Sequence, residues 1–169
     1  NKLIRKTQMI NNIFKKIGQL SQANAEIIAN DWHYEGEYSF YDMENDQEDY
    51  DEIMSQELRS DHYYQVLDGD NKLVAFFCLE PDDQDSMKAE IGLGLAPSLT
   101  GHGLGKEFIK VIEDYVKQNF AFKTYILSVA EFNKRAIKVY QKAGYQETGS
   151  ENVHTNGGIY KFIIMTKSV

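Results

Sequence analysis

The stretch Leu-Thr-Gly-His-Gly-Leu-Gly-Lys at residues 99–106 decides how the rest of the chain reads. Three glycines at alternate positions, Gly101, Gly103 and Gly105, follow an apolar run and open an amphipathic helical pattern. A backbone without Cβ atoms can turn sharply there and let an anion approach the bare N–H groups of a helix N-terminus, which carries roughly half a positive charge. The stretch therefore reads as a phosphate cradle, with a glycine-rich turn that holds no ligand as the alternative. Two better-known cradles fail on spacing. A P-loop has four residues between its first glycine and Gly-Lys, then Ser or Thr for magnesium; here three residues separate Gly101 from Gly105, and Glu107 follows Lys106. The dinucleotide fingerprint is G-x-G-x-x-G early in a βαβ unit, whereas this loop is G-x-G-x-G and lies past the middle of the chain.

Downstream of the loop, Leu104, Phe108, Val111, Ile112, Tyr115 and Val116 repeat at helical spacing and give one apolar face over about four turns. Residues 123–129 read as a strand and residues 133–143 as a helix, with Gly144 where a left-handed C-terminal cap is wanted. Residues 145–150 and 159–166 read as a final antiparallel pair joined through 152–158. Upstream, residues 87–95 form a strand with Glu90, Gly92 and Gly94 on one face and Ile91, Leu93 and Leu95 on the other. Two glycines inside a strand weaken it unless something approaches the backbone or the strand bulges. Pro97 ends that strand just before the loop.

Further back, residues 63–67 and 72–80 flank Asp68-Gly69-Asp70-Asn71 as a hairpin. A short strand is expected over 13–20. Ser21 then caps a helix through about residue 33, with Ala25, Ile28, Ala29 and Trp32 as its stripe. Residues 33–41, HYEGEYSFY, read as an aromatic loop, either a lid on the core or a ligand wall. Seven of the eleven residues 42–52 are acidic and lead into a helix ending near Arg59, whose bland reading is a solvated face. An EF-hand calcium loop is excluded there because Gln47 stands where glycine is required. His33, His62 and His154 show no metal-ligand spacing, and no metal site is expected.

A chain of 169 residues suits a single domain over 1–169, with residues 1–12 as a loosely ordered extension. The lone cysteine, Cys78, lies in an apolar run and fits a reducing compartment as a small core residue. No apolar segment is long enough to span a bilayer and the start lacks a signal-peptide core, so the expectation is a cytoplasmic protein without a membrane partner. Eighteen basic residues against twenty-six acidic ones leave a net charge of −8, which argues against nucleic acid and favours a cationic partner. The strands are mostly antiparallel with segregated helices, an α+β arrangement.

The order of a glycine-bearing strand, the loop Gly101-His102-Gly103-Leu104-Gly105, a helix, a strand, and then N-x-x-A-x-x-x-Y-x-x-x-G-Y at residues 133–145 resembles the GNAT superfamily of N-acetyltransferases. With the first position of that family's pyrophosphate motif at Thr100, Gly103 and Gly105 match its two small positions, and Thr100 stands where Gln or Arg is usual. The resemblance implies the acyl-CoA N-acyltransferase fold, a mixed, mostly antiparallel twisted sheet of six to seven strands flanked by about four helices. It implies acetyl-CoA as donor, its pyrophosphate on the N–H groups of residues 102–106, with Thr100, Gly101, His102, Gly103, Leu104, Gly105 and Lys106 at that site. Its pantetheine arm would lie along Leu93, Leu95 and Ala96, and an N–H near residues 93–95 would polarise the thioester. Asn133 matches a position that contacts the arm, with a helix N-cap as the local alternative. Tyr140 matches the tyrosine that donates to the coenzyme thiolate, against a core aromatic. Glu90 is the candidate base, acting through water, against an ordinary solvent-facing carboxylate.

The implied function is acetyl transfer to a primary amine by direct attack in a ternary complex. A small cationic amine is favoured as acceptor, because the acidic stretch 42–52 adjoins the aromatics Trp32, Tyr34, Tyr38 and Tyr41, which are the candidate substrate residues. A protein N-terminal or lysine amine, as in ribosomal-protein-like acetylation, remains open, and so does a non-catalytic acyl-CoA-binding module. A monomer or homodimer is expected.

Overall fold

The computed structural model describes residues 13–169, and the expectation for residues 1–12 lies outside them. Seven strands form one mixed sheet in the order β1-β2-β3-β4-β5-β7-β6. They are β1 (Lys16–Gln19), β2 (Tyr63–Leu67), β3 (Leu73–Pro81), β4 (Lys88–Leu95), β5 (Thr124–Ala130), β6 (Gln146–Thr155) and β7 (Gly158–Ser168). Five α-helices lie among the described residues: α1 (Gln22–Asp31), α2 (Gln47–Met54), α3 (Gln56–Arg59), α4 (Gly105–Asn119) and α5 (Lys134–Lys142). The α+β class expected from the sequence is what the chain adopts. None of these helices is long and apolar enough to cross a membrane.

Parallel pairing occurs between β4 and β5, where Lys88, Ala89 and Glu90 face Thr124, Tyr125 and Ile126. That register covers three pairs. The antiparallel β5–β7 register, by contrast, runs through seven, from Thr124–Ser168 to Ala130–Phe162. Thus β5 continues to Ala130 on its β7 side, while its pairing with β4 ends at Glu90.

By its internal contacts the chain divides into two compact units. The first comprises the described residues up to 77 together with 93–102 and 155–158. Ala25, Ile28, Ala29 and Trp32 of the α1 stripe are buried here with Ile53, Val66, Val74 and Ala75. Tyr64 stacks on Phe77 at 4.8 Å between ring centroids, and Trp32 leans on Phe76 at 6.2 Å. Ser21 caps α1 as its sequence predicts, its Oγ accepting from Asn24 N–H. Arg59, 2% exposed, donates through its guanidinium to the Ile53 carbonyl and to Gln22 Oε1.

The second unit comprises residues 78–92, 103–154 and 159–169. Phe108, Ile109, Ile112 and Val116 of α4 are buried in it, as are Leu79, Ala89, Ile91, Tyr125, Leu127, Val129, Ile163 and Met165. The buried stripe of α4 is rotated from the expected one: Ile109 and Glu113 are inside, whereas Val111 and Tyr115 are half-exposed. Lys167 explains the rotation, because its ammonium meets Glu113 and lets a carboxylate occupy an inward position.

Three local expectations change. The helix expected over 42–59 is broken at Ser55, whose side chain caps α3 by accepting from Leu58 N–H, so helices α2 and α3 replace one. The aromatic loop is a 3-10 turn, Gly36–Tyr41, entered through Gly36 at φ +61°. The β2–β3 hairpin forms where it was expected, with Asn71 as its left-handed residue. The final hairpin has no loop over 152–158: both strands run on to Asn156-Gly157, at φ +52° and +74°. Asn-Gly with two positive φ angles is the pairing that a tight two-residue hairpin favours.

Candidate active site

The loop after β4 begins with a 3-10 turn, Pro97–Leu99, closed by Thr100 N–H on the Pro97 carbonyl at 3.3 Å. The Thr100 hydroxyl donates to the same carbonyl at 2.8 Å, so this side chain is spent on the turn. Gly101 and Gly103 then take φ +77° and +74°, conformations that cost an L side chain roughly 1–2 kcal/mol. Helix α4 starts at Gly105, with Leu104 as an N-cap that contributes no side-chain bond. Gly105 has a packing reason as well, since a Cβ there would lie 3.1 Å from Val139 Cγ1 of α5. An uncapped helix N-terminus preceded by two left-handed glycines fits an anionic group such as a pyrophosphate.

The two glycines of β4 answer to neighbours on β3. A Cβ at Gly92 would lie 2.6 Å from Cys78 Sγ, and one at Gly94 would lie 2.5 Å from Phe76 Cε1. The expected reason, a close approach by thioester, is thereby joined by a second one inside the protein. At the end of the strand, Ala96 N–H donates to Val74 C=O at 2.8 Å and the Leu95 carbonyl accepts the Tyr34 hydroxyl at 2.7 Å. The Ala96 N–H is thus engaged within the protein, which leaves its expected place beside the pantetheine arm untouched, and the N–H groups near residues 93–95 remain the candidates for the thioester.

Helix α5 is capped by Asn133, whose side-chain oxygen accepts from Ala136 N–H at 3.1 Å, as its alternative reading held. Tyr140 is half-buried, 6.4 Å from Tyr145 between ring centroids. The Tyr140 carbonyl accepts both Ala143 N–H and Tyr145 N–H at the end of the helix, and Gly144 supplies φ +100° for that reversal. Glu90 reaches solvent, yet its carboxyl is shifted upward, by desolvation first and then by Glu151, Glu80 and Asp82. A carboxyl moved toward neutrality is a better proton acceptor at working pH than an unperturbed one.

In the first unit the aromatic and acidic segment is fastened rather than merely solvated. Asp42, 9% exposed, accepts Tyr34 N–H at 2.9 Å and meets His33 Nδ1 at 3.1 Å. Asp46 caps α2 through Asp49 N–H and accepts the Thr155 hydroxyl, which holds its carboxyl below the usual range. Asn156 Nδ2 donates to Phe40 C=O at 2.7 Å, and Tyr63 donates to Glu52 at 3.0 Å. Asp49 is pushed up to about 6, by desolvation and then by Asp46, Glu52 and Glu48; its edge still reaches solvent, so the crowding comes from protein beneath it. The solvated-face reading of residues 42–52 holds for Glu44, Glu48, Asp49 and Asp51, which are exposed, while Asp42, Asp46 and Glu52 are fastened to the protein.

His33 has both ring nitrogens directed at acceptors: Nε2 at Asn30 C=O, 2.8 Å, and Nδ1 at Asp42 and at Glu44, 3.1 and 3.7 Å. Only the imidazolium donates at both positions, and the pKa is raised, chiefly by the Asp42 bond. His33, Asp42 and Glu44 place ligand-type atoms within 4.8 Å of one another, a cluster that sequence spacing did not reveal. A protonated ring competes with any metal for that nitrogen.

Of the four expected substrate aromatics, Trp32 is 8% exposed and belongs to the core, a correction forced by its packing on Phe76. Tyr34 has its hydroxyl committed to Leu95, and burial followed by the Asp42 charge raises its pKa, keeping it a donor. Tyr38 and Tyr41 are half-buried in the 3-10 turn.

The Acetyltransferase (GNAT) family profile matches residues 26–145, which takes in the glycine loop, α4, α5 and Tyr140. The chain belongs to the GNAT acetyltransferase family. A spermine/spermidine N(1)-acetyltransferase of Bacillus subtilis is 28% identical over 105 residues, 57% of this chain and 69% of the relative. Among solved structures, the spermidine N-acetyltransferase of Vibrio cholerae, in complex with CoA and spermine, superposes with a TM-score of 0.71 at 18% identity, over 90% of this chain and 94% of that one. A putative phosphinothricin N-acetyltransferase gives 0.67 at 16% identity, over 91% and 98%. These two likenesses establish the GNAT fold. As a GNAT enzyme the chain transfers the acetyl group of acetyl-CoA to an amine.

Proposed function

We propose that the acceptor is a small polycationic amine of the spermidine and spermine type. The observation that carries this reading is the group of carboxylates at Glu90, whose side chain reaches solvent and whose pKa is raised by partial burial and then by the charges of Glu151, Glu80 and Asp82. Such a group attracts a flexible cation and relieves its own strain by accepting a proton from it. The Bacillus subtilis relative, named for activity on spermine and spermidine, supports the same choice.

In the proposed mechanism the pyrophosphate of acetyl-CoA sits on backbone N–H groups of residues 102–106, at the uncapped start of α4. Gly101 and Gly103 shape the approach, His102 and Lys106 flank it, and Thr100 serves through its backbone because its hydroxyl is engaged. The pantetheine arm runs beside Leu93 and Leu95, with the Asn133 amide nitrogen as a further donor. Glu90 takes a proton from the acceptor ammonium through water. The freed nitrogen attacks the thioester carbonyl, whose developing oxyanion is met by an N–H of Leu93 or Leu95. Collapse of the tetrahedral intermediate breaks the C–S bond, the Tyr140 hydroxyl gives its proton to the departing thiolate, and the surplus proton on the new amide nitrogen returns to the Tyr140 oxygen through water.

The test is the pH dependence of spermidine-driven thiol release by wild type and Glu90→Gln. The variant is expected to lose about 10²-fold in kcat and the acidic limb of the profile, while its KM for acetyl-CoA stays within about twofold. An unchanged profile would remove Glu90 from the reaction, and turnover with peptide amines alone would remove the polyamine.

A further inference from the structure

Glu113 is the feature that the proposed mechanism leaves without a task. It lies on the inward face of α4 at 6% exposure, among Phe108, Ile109, Ile112 and Val116, where a leucine would complete the apolar stripe. Burying a carboxylate costs several kcal/mol unless its oxygens are satisfied, and here both are. Oε2 accepts the hydroxyl of Tyr145 at 2.9 Å, and Oε1 meets Lys167 Nζ at 2.9 Å. Lys167 also places its ammonium 5.7 Å from the Tyr145 ring centroid and lays its stem beside Gly144, where a Cβ would fall 3.3 Å from Lys167 Cε. Tyr145 itself is 2% exposed.

Beyond Tyr145 the contacts lead to one residue. Its N–H donates to the Tyr140 carbonyl at 3.0 Å, and its ring lies 6.4 Å from the Tyr140 ring at 58°. One end of Tyr145 is therefore pinned to α4 by Glu113, while its N–H holds the Tyr140 carbonyl and its ring lies tilted beside the Tyr140 ring. A phenylalanine at 145 would fill the same volume but would leave the ring free to shift along its own plane, and small displacements of a reacting group cost disproportionately in rate.

We propose that Glu113 and Tyr145 are positioning residues that hold the Tyr140 hydroxyl at the coenzyme sulfur. The inference rests on the assignment of Tyr140 as the acid that protonates the thiolate. Lys167 neutralises the buried carboxylate, and Gly144 leaves room for it to do so.

The experiment is a double-mutant cycle on the full chain, read as kcat and as KM for acetyl-CoA at saturating spermidine. Tyr140→Phe is expected to lower kcat about 10²-fold or more. Tyr145→Phe, which keeps the ring and the backbone bonds, should lower kcat about tenfold with KM within about twofold. Glu113→Gln retains an acceptor for Tyr145 and should lose only about threefold, whereas Glu113→Ala should match Tyr145→Phe. In the Tyr140→Phe background, Tyr145→Phe should slow the enzyme no further, because its effect passes through the missing hydroxyl. A folded Tyr145→Phe enzyme with wild-type kcat, or effects that multiply in the double variant, would overturn the proposal while leaving Tyr140 in place. If Tyr140→Phe alone keeps full turnover, the acid assignment fails first and the proposal with it. Should Tyr145→Phe not fold, Glu113→Gln carries the same cycle, with the loss expected in the wild-type background and absent in Tyr140→Phe.

Discussion

The glycine loop with α4 and α5 differs from the segment between residues 32 and 59 in how each commits its polar groups. Around the loop, the backbone is shaped for something outside the chain: two left-handed glycines lead to a helix whose first turn no side chain caps. Between 32 and 59 several polar groups are spent inside, while others, Glu44, Glu48 and Asp51 among them, stay exposed. Asp42 holds Tyr34 and His33, Asp46 holds Thr155, Glu52 holds Tyr63, and Arg59 is buried on Ile53 and Gln22. The loop thus leads to a helix start without a side-chain cap, as the proposed donor site requires, whereas the acidic segment is partly self-fastened and keeps charge at its surface.

Substitutions should separate the two cases. The largest effect is expected from Gly103→Val. The space around Gly103 is open at the first side-chain atom, since a Cβ there would meet nothing within 4 Å. The φ of +74° would have to relax, however, moving the N–H groups that an anion needs. Losing two bonds to a charged acceptor, each about 1.5–3 kcal/mol, lowers acetyl-CoA affinity about a hundredfold or more by calorimetry. Melting temperature should fall by only a few degrees. Affinity that survives while stability collapses would make the loop a structural turn.

A medium effect is expected at Gly94→Ala, where the Cβ meets Phe76 at 2.5 Å. The strain should cost about 1–3 kcal/mol in denaturant unfolding, because Phe76 is already braced by Trp32. If stability is unchanged and only acetyl-CoA binding falls, the glycine serves the ligand rather than the core.

The smallest effect belongs to His33 in the acidic segment. Its folded pKa lies above the ordinary 6.5, mainly through Asp42. A raised value means that the stabilisation is fully present below the unfolded pKa and is lost as pH rises through the folded one. The melting-temperature gap between wild type and His33→Gln should accordingly be widest near pH 6 and close by about pH 9. A gap independent of pH would mean that the ring acts by packing alone.

The same contrast sets what was legible in the sequence. Periodicity and capping chemistry located the strands, the Ser21 cap of α1, the Asn133 cap of α5 and the left-handed Gly144, because each depends on residues within one turn of one another. The glycine loop was legible for the same reason. Trp32 was misjudged because its stripe position at the end of α1 and its place at the head of an aromatic run point to different fates, and Phe76, 44 residues away, decides between them. Glu113 was missed since an acidic residue beside an apolar stripe reads as its polar edge until Tyr145 and Lys167 are brought to it. Asn156-Gly157 carried a hairpin signal of its own, outweighed by the polar run around it.

The central claim, a GNAT enzyme whose acceptor is a small polycation, is tested most directly by competition. Wild-type protein is given acetyl-CoA with equal concentrations of spermidine and a peptide bearing free N-terminal and lysine amines, and the products are identified by mass. Acetylated spermidine should dominate, by about tenfold or more over acetylated peptide, and the preference should shrink as salt screens the attraction. Acetylated peptide with unmodified spermidine would contradict it.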